Sequence, residues 1–369
     1  MDELVAARHE IDEIDRQMAA LFEKRMNAVG RVAEYKCSRG LLIYDTAREN
    51  AVISKNSAYI ENEDILPFYV EFMQGTMSVS RHYQRQRTEG LTVAFSGVEG
   101  AFASIAAASL FPSAKKLPCS DFKSAYDAVV AGKSDLAVLP IENSTAGEVG
   151  QVVDLLFQGN LYVTGIYDLS ITQSLVAPKG ASLSDIKTVV SHPQALSQCG
   201  AFIHTHGFET VPEVNTAVAA KKVAKENDIH TAAIASEETA KLYGLEIIAS
   251  GINDTGTNTT RFAVLARSPV TDGGDGKHSI LMFTVRNEAG YLAKAIDIIG
   301  KYGYNMRCLR SRPLKNLLWQ YYFYVELEGD LSTPHGKEML GALSEFCENL
   351  KAAGTFKYPA SISASDDTI

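Results

Sequence analysis

Arg25 and Lys36 stand in a segment, Asp2 to about Cys37, that holds no proline and repeats Ile11, Ile14, Met18, Leu21, Val29 and Val32 at helical spacing. At about 1.5 Å and about 100° per residue the two cations lie about three turns apart and within roughly 20° of one face, so both can enter one pocket. Arg8 falls about 26 Å from Arg25 and roughly 100° round the axis, so an anion that it serves belongs to another chain. A helix of roughly 50 Å outruns what a small domain covers, which predicts an intertwined homodimer.

Surface cations on a helix are ordinarily only solvated, and the rest of the segment is what makes these informative. Asp45, Arg48 and Glu49 share a face of a second helix at i, i+3 and i+4. Ser80 and Gln84 share a face of a third, Ile65 to about Gln86. The combined set is cations, carboxylates, a hydroxyl and an amide, with no nucleophile. Such a set binds a small polyanion and stabilises charge as it rearranges, rather than attacking it.

At these residues the segment resembles the all-helical chorismate mutases over nearly all of residues 1 to 87. The resemblance implies that Arg8, Arg25, Lys36, Asp45, Arg48, Glu49, Ser80 and Gln84 bind chorismate, a dicarboxylate. Its rearrangement to prephenate is pericyclic, so a catalyst holds a compact conformer and stabilises charge on the ether oxygen. The resemblance assigns that oxygen to Lys36 and Gln84 as catalytic residues. Arg8 of a partner chain and Arg25 would clamp carboxylates, Arg48 would assist or orient its acidic neighbours, and Glu49 and Asp45 would take the ring hydroxyl.

A chain of 369 residues predicts two or three domains. Its formal charge of −9 argues against nucleic acid. Cys37, Cys119, Cys199, Cys308 and Cys347 are odd in number and lack metal spacing, so reduced thiols in a cytoplasm and no metal are expected. The charged start and the lack of a bilayer-length apolar run predict neither secretion nor membrane insertion.

Near Arg87 to Gly90 helical periodicity gives way to short apolar strands: Leu91 to Phe95, Leu136 to Leu139, Leu161 to Tyr167 and Thr188 to Val190. Helical stretches such as Phe122 to Val130 and Ala217 to Lys225 lie between them, which reads as two α/β lobes. Ala232 to Ala235 would close the second lobe and Thr260 to Ala266 return to the first. Thr271 to Gly276 then reads as a linker. Four clusters sit at strand ends, where open α/β sheets bind ligands: the glycine turn Phe95 to Phe102, Pro140 to Thr145, Ser191 to Gln194, and Asn258 to Phe262.

Together these clusters resemble prephenate dehydratase over residues 90 to 267, with Thr260, Arg261 and Phe262 the most specific element. The resemblance implies a two-lobed, periplasmic-binding-like fold with an interlobe active site, and matches Thr260 to that family's essential threonine. Prephenate loses carbon dioxide and water to give phenylpyruvate, and aromatisation drives the reaction without a cofactor. A neutral threonine hydroxyl is a weak acid, better suited to polarising the leaving hydroxyl than to protonating it fully. Glu142, Asn143, Ser144, Ser191, His192, Gln194, Arg261 and Phe262 complete the expected prephenate set. Val98, Ala101, Ala103 and Gln173 depart from the family's usual proline, hydroxyl and histidine residues.

Residues 278 to 360 read as βαββαβ: His278 to Val285, Ala289 to Tyr302, Asn305 to Arg310, Trp319 to Glu328, Lys337 to Ala352 and Gly354 to Tyr358. This order resembles an α+β, ferredoxin-like ACT domain, which implies a phenylalanine site at Ala289, Gly290, Leu292, Ser311, Arg312 and Pro313. Arg310 replaces that motif's glutamate, and Tyr291 is bulkier than its usual counterpart. The expected architecture is therefore a helical mutase over 1–89, a dehydratase over 90–267 and an ACT domain over 278–360. The competing reading is a non-catalytic two-lobed ligand sensor dimerised by a degenerate mutase helix.

Overall fold

The first helix runs unbroken over Glu3–Arg39 (α1) in the computed structural model, which describes residues 3–39, 41, 46–87, 90–269, 278–315, 319–357 and 360–362. Asp45 and the Thr271 to Gly276 stretch lie outside the described residues. The chain forms two compact units, Met1–Leu91 with Ser113–Lys115, and Thr92–Pro112 with Lys116–Ile369. In the first, α2 (Thr46–Ser57) and α3 (Leu66–Arg87) follow α1, and a 3-10 turn capped by Asn62 leads into α3. Ala33, Met73 and Leu91 are the buried apolar side chains among the unit's described residues, whereas Ile11 and Leu21 are 55% and 63% exposed. The stripe that defines α1 in the sequence is therefore left uncovered within this unit.

The second unit begins with β1 (Thr92–Ser96), α4 (Phe102–Leu110), β2 (Lys115–Cys119), α5 (Phe122–Val130), β3 (Leu136–Asn143), β4 (Gly147–Glu148), α6 (Gly150–Gln158) and β5 (Tyr162–Ser170). The chain then builds another sheet from β6 (Ser174–Ala177), β7 (Thr188–Ser191), α7 (Pro193–Gln198), α8 (Gly200–His206) and β8 (Glu209–Pro212). It is completed by α9 (Thr216–Glu226), β9 (Thr231–Ala235), α10 (Glu237–Tyr243) and β10 (Glu246–Ala249). The return strand β11 (Thr259–Ala266) inserts between β3 and β5, antiparallel to both. This gives two lobes joined by two crossings, with Asp121 capping α5 and Asn215 capping α9 through their side-chain oxygens.

The last elements are β12 (His278–Val285), α11 (Tyr291–Lys301), β13 (Asn305–Pro313), β14 (Tyr321–Glu328), α12 (Pro334–Ser344) and β15 (Cys347–Phe356), in sheet order β13-β14-β12-β15; β16 (Ala360–Ile362) pairs with β5. The expected helix through Ala352 ends at Ser344, and β15 starts well before Gly354. Ala352, where the expected helix ended, is a good helix former, yet it lies in a strand that approaches the first lobe closely at Gly354. A Cβ on Gly354 would stand 2.0 Å from the Val163 carbonyl oxygen, so tertiary contact overrides propensity.

One face of this four-stranded sheet packs on α11 and α12 through Leu281, Phe283, Ile299 and Leu343. The other face, through Ile280, Met282, Tyr322 and Phe356, shares one core with Val152, Leu156 and Val163 of the first lobe. Trimming the chain near Gly274 would open that core, so the carboxy-terminal module is not removable without damage to the lobe. Lys351 of β15 reinforces the contact, its ammonium donating to the carbonyls of Leu156 at 2.5 Å and Gly159 at 2.6 Å, at the end of α6. Lys351→Met keeps the apolar stem and removes both charge-assisted bonds. It is expected to lower stability by about 1 to 3 kcal/mol, read as a shift in a chemical-denaturation midpoint.

Candidate active sites

In the helical unit, the pitch of α1 and the packing of α3 bring Arg25 against Ser80. The guanidinium donates to the Ser80 hydroxyl and lies 3.5 Å from Met77 Sδ, while Ser80 donates to the Thr76 carbonyl at 2.6 Å. Burial pushes Arg25 down from the ordinary arginine range. Gln84, one turn along α3, is buried, and its Oε1 has no hydrogen-bond partner. A buried amide oxygen without a donor is costly and points to a ligand that supplies one. Lys36 is half-buried near the end of α1, Arg48 is exposed, and Arg8 is exposed about 26 Å along the helix from Arg25.

Glu49 is held by Arg81 in an ion pair at 2.5 Å. Arg81 is absent from the sequence-derived set, although it lies next to Ser80 and three residues before Gln84, positions that share a helix face with the latter.

In the second unit, Asn143 at the end of β3 and Thr260 near the start of β11 are cross-strand neighbours, both nearly buried. Asn143 Nδ2 donates to Thr260 Oγ1 at 2.9 Å and to Asn258 Oδ1 at 2.9 Å. Asn143 Oδ1 accepts from the backbone amides of Thr145 (3.0 Å) and Ala146 (2.9 Å), which sets the amide's orientation. Thr260 is therefore an acceptor toward Asn143, and its own proton is available to a group in the cleft. From α7 of the other lobe, Gln194 reaches Asn143 Oδ1 at 3.5 Å and Gln198 accepts from Asn258 at 2.9 Å. Asn258 opens one of the strand-end clusters without being among the expected prephenate residues, and Gln198 was missed. Gln198 has no motif of its own, and the two meet only because the lobes close on each other.

The remaining expected residues divide by role. The Ser144 hydroxyl bonds Thr257 O (3.0 Å) and accepts from Thr259 N (2.9 Å), fixing the loop, and the Ser191 hydroxyl is spent on Ile234 O at 2.6 Å. His192 caps α7 by accepting from Gln194 N through Nδ1, and it lines an open cavity of about 360 Å³ with Pro193, Pro212, Glu213 and Val214. The glycine turn meets the second lobe through its carbonyls. Thr239 donates to Gly100 O at 2.7 Å and Tyr243 to Glu99 O at 2.8 Å, and a Cβ on Gly100 (φ +88°) would lie 3.1 Å from Leu242.

Three expected prephenate contacts require correction. Phe262 is 2% exposed and belongs to the packed interior. Glu142 and Arg261 precede and follow the Asn143–Thr260 pair, so the pleat turns them to the opposite face of the sheet. There Arg261 pairs with Glu142 (3.1 Å), Glu326 of β14 (3.0 Å) and more distantly Asp168 (3.8 Å). Burial opposes the Arg261 charge, but Glu326 and Glu142 outweigh it and raise the group above its usual range. Burial pushes the Asp168 carboxyl up, and repulsion from Glu142 and Glu326 adds to the rise despite Arg261.

The same face takes Arg310, which pairs with Glu142 and with Glu148 at 3.5 Å. Arg312 likewise points at the lobe, bonded to Glu148, to Asp154 at 2.9 Å and to the Tyr322 hydroxyl at 2.9 Å. Of the expected regulatory residues, Arg312 is thus committed to the first lobe, while Ser311 and Pro313 lie on the exposed face of β13. Ala289 is exposed, Gly290 has a left-handed φ of +87° at the start of α11, and Leu292 packs on the module's core. Arg310 faces away from Ser311 and so does not recharge that surface. Among the described residues no His, Cys, Asp or Glu cluster could hold a metal ion.

The two site geometries correspond to two families within one chain. Residues 7–85 match chorismate mutase type II, and residues 93–270 match prephenate dehydratase. The chain is thus a helical mutase region followed by a dehydratase domain with a periplasmic-binding-like α/β fold. The bifunctional chorismate mutase/prephenate dehydratase of Aquifex aeolicus (strain VF5) is 31% identical over 366 residues, 96% of this chain and 98% of that protein. The chloroplastic arogenate dehydratase/prephenate dehydratase 2 of Arabidopsis thaliana is 35% identical over 321 residues, 84% of this chain and 82% of that protein. The structure of Arthrobacter aurescens prephenate dehydratase in complex with L-Phe superposes with a TM-score of 0.67 at 27% identity, covering 73% of this chain and 90% of that one. The chain belongs to the bifunctional chorismate mutase/prephenate dehydratase family.

Proposed function

We propose that the chain converts chorismate to prephenate in its helical unit and prephenate to phenylpyruvate in its interlobe cleft, as successive steps toward phenylalanine. The observation that carries the second step is the Asn143–Thr260 hydrogen bond. Because Asn143 donates to Thr260, the threonine O–H is directed at the hydroxyl that leaves. The bond from ring carbon to carboxylate breaks, its electron pair enters the ring, carbon dioxide departs, and the ring C–O bond breaks to release hydroxide, which takes a proton from solvent to become water. Thr260 stabilises the developing negative charge on that oxygen. Decarboxylation and aromatisation supply the driving force, so the cleft needs to orient and polarise, not to provide a strong acid.

In the mutase step, Arg25 and Arg8 of a second copy hold the two carboxylates, Lys36 and Gln84 meet the ether oxygen, and Glu49 with Asp45 meets the ring hydroxyl. The uncovered apolar residues of α1, among them Leu4, Ile11, Leu21 and Phe22, support a homodimer in which a second α1 covers them. The odd number of cysteines, five, suits a reducing cytoplasm. Purified chain supplied with chorismate alone should consume it and accumulate phenylpyruvate. Consumption without phenylpyruvate would remove the dehydratase assignment, and no consumption would favour the sensor reading.

The domains take residues 1–89, 90–267 and 278–360, the last an ACT module that binds phenylalanine at Gly290, Leu292, Ser311 and Pro313 and restrains the dehydratase. Coupling of about 1 to 3 kcal/mol corresponds to roughly a 5- to 150-fold effect. Phenylalanine is therefore expected to inhibit phenylpyruvate formation from added prephenate. Gly290→Val, strained by the left-handed φ at that position, should weaken the inhibition and leave the uninhibited rate in place. Equal inhibition of both proteins would move the effector elsewhere, and no inhibition of the wild type would remove the regulatory reading.

A further inference from the structure

Thr260 and Asn143 sit beside an irregularity in the ladder between their two strands. β3 ends at Asn143 and β11 starts at Thr259, and the ladder between them shifts register next to the reacting pair. Thr260 faces Asn143 and Arg261 faces Glu142, but Phe262 faces Pro140, so Ile141 is an extra, unpaired residue. Two cross-strand pairs are thereby separated from the regular β3–β11 ladder, while β11 stays in register with β5 at these residues and β3 pairs with β4 at Glu142 and Asn143. The reverse face adds side-chain ties across this irregular step. Glu326, 6% exposed and itself fixed by the Tyr324 hydroxyl at 2.8 Å, receives Arg261 NH1 through both carboxylate oxygens at 3.0 and 3.2 Å. Arg310 on the neighbouring strand grips Glu142 from the same side.

We propose that Glu326 and Arg310 are positioning residues of the dehydratase reaction, holding Arg261 and Glu142 on one face of β11 and β3 so that Thr260 and Asn143 stay in register on the other. The inference rests on the dehydratase reading of the cleft. Neither residue touches the substrate: both act through the side chain next to the one that does. Glu142 and Arg261 are central to the cluster, and Glu148 and Asp168 at its margins complete the charge without contacting Thr260. The carboxy-terminal sheet is then part of the catalytic scaffold, in line with the core it shares with the lobe.

The test is steady-state phenylpyruvate formation from prephenate by the full-length chain. Glu326→Ala and Arg310→Ala should each lower kcat by about tenfold to a hundredfold, the cost of a small displacement at a reacting centre. KM should stay within about twofold, because the groups lost are not binding groups. Glu326→Gln, which keeps the length and one acceptor, should recover part of the loss. The deciding measurement is made in a Thr260→Val background, where adding Glu326→Ala should leave the residual rate unchanged if Glu326 acts through Thr260. A second drop of the same size there would overturn the proposal in favour of general structural support, as would wild-type kcat in both alanine variants. Mutase turnover and a cooperative melt in the same preparations establish folding. Should Glu326→Ala fail either, Glu326→Gln with and without Thr260→Val carries the same comparison. Absence of phenylpyruvate from the wild type would instead count against the dehydratase reading itself.

Discussion

Lys36→Ala or Arg25→Ala is expected to cut chorismate turnover by about a hundredfold or more, while conversion of added prephenate to phenylpyruvate continues. The mutase chemistry attributed to the helical unit has no nucleophile or proton shuttle to fall back on, so its rate depends on charges placed before the reaction begins. Arg25 already bonds Ser80 and is partly desolvated, an arrangement that strengthens its hold on a carboxylate. Lys36 lies three turns along the same helix and within roughly 20° of the same face. Thr260 belongs to the other compact unit, so its chemistry should be indifferent to these changes. Loss of both activities in a folded variant would defeat the separate-site account. If Arg8 acts across chains, mixing Arg8→Ala with Arg25→Ala chains should restore mutase turnover in the heterodimer by assembling one intact pocket. No recovery in verified heterodimers would return Arg8 to the solvated surface.

Thr260→Val should lower phenylpyruvate formation on the order of a hundredfold or more while prephenate still binds. Valine preserves the β-branched shape on β11, so the strand and its ladder are kept. It removes the hydroxyl that Asn143 orients and leaves one Asn143 N–H without its acceptor. The measured pair is kcat against KM: a fall in kcat with little change in KM indicates loss of an interaction realised in the transition state. Near-normal turnover would make Thr260 structural. The search for the donor would then turn to His192, which lines the open cavity, because the Ser191 hydroxyl is committed to Ile234.

How much of this was legible beforehand follows from the range of the forces involved. Helical periodicity depends on neighbours three and four residues away, so α1 and α3 and the shared face of Ser80 and Gln84 could be read directly. Short apolar runs bounded by turn residues marked β3 and β11, and the strand ends marked Asn143 and Thr260. The stretch Cys347 to Ala352 misled because it is a strand paired with β12, a distant part of the chain, and leads to the close approach of Gly354 to Val163. Arg81 and Gln198 went unseen for the same reason: each is chosen by a partner far away in sequence, Glu49 for the first and Asn258 for the second.

Arg261 and Glu142 show where the division falls. Alternation along a strand requires them to point away from Thr260 and Asn143, and that much was present in the sequence. What waits on the opposite face was not, since a pleat fixes direction but not what packs there. The amino-acid order by itself determined the helices, the α/β alternation and the inventory of polar groups, because these depend on residue type and local spacing. Only the tertiary structure decided that Arg261 answers to Glu326 and Arg310 to Glu142, because those contacts exist only where the four-stranded sheet closes over β3, β5 and α6 and excludes water between them.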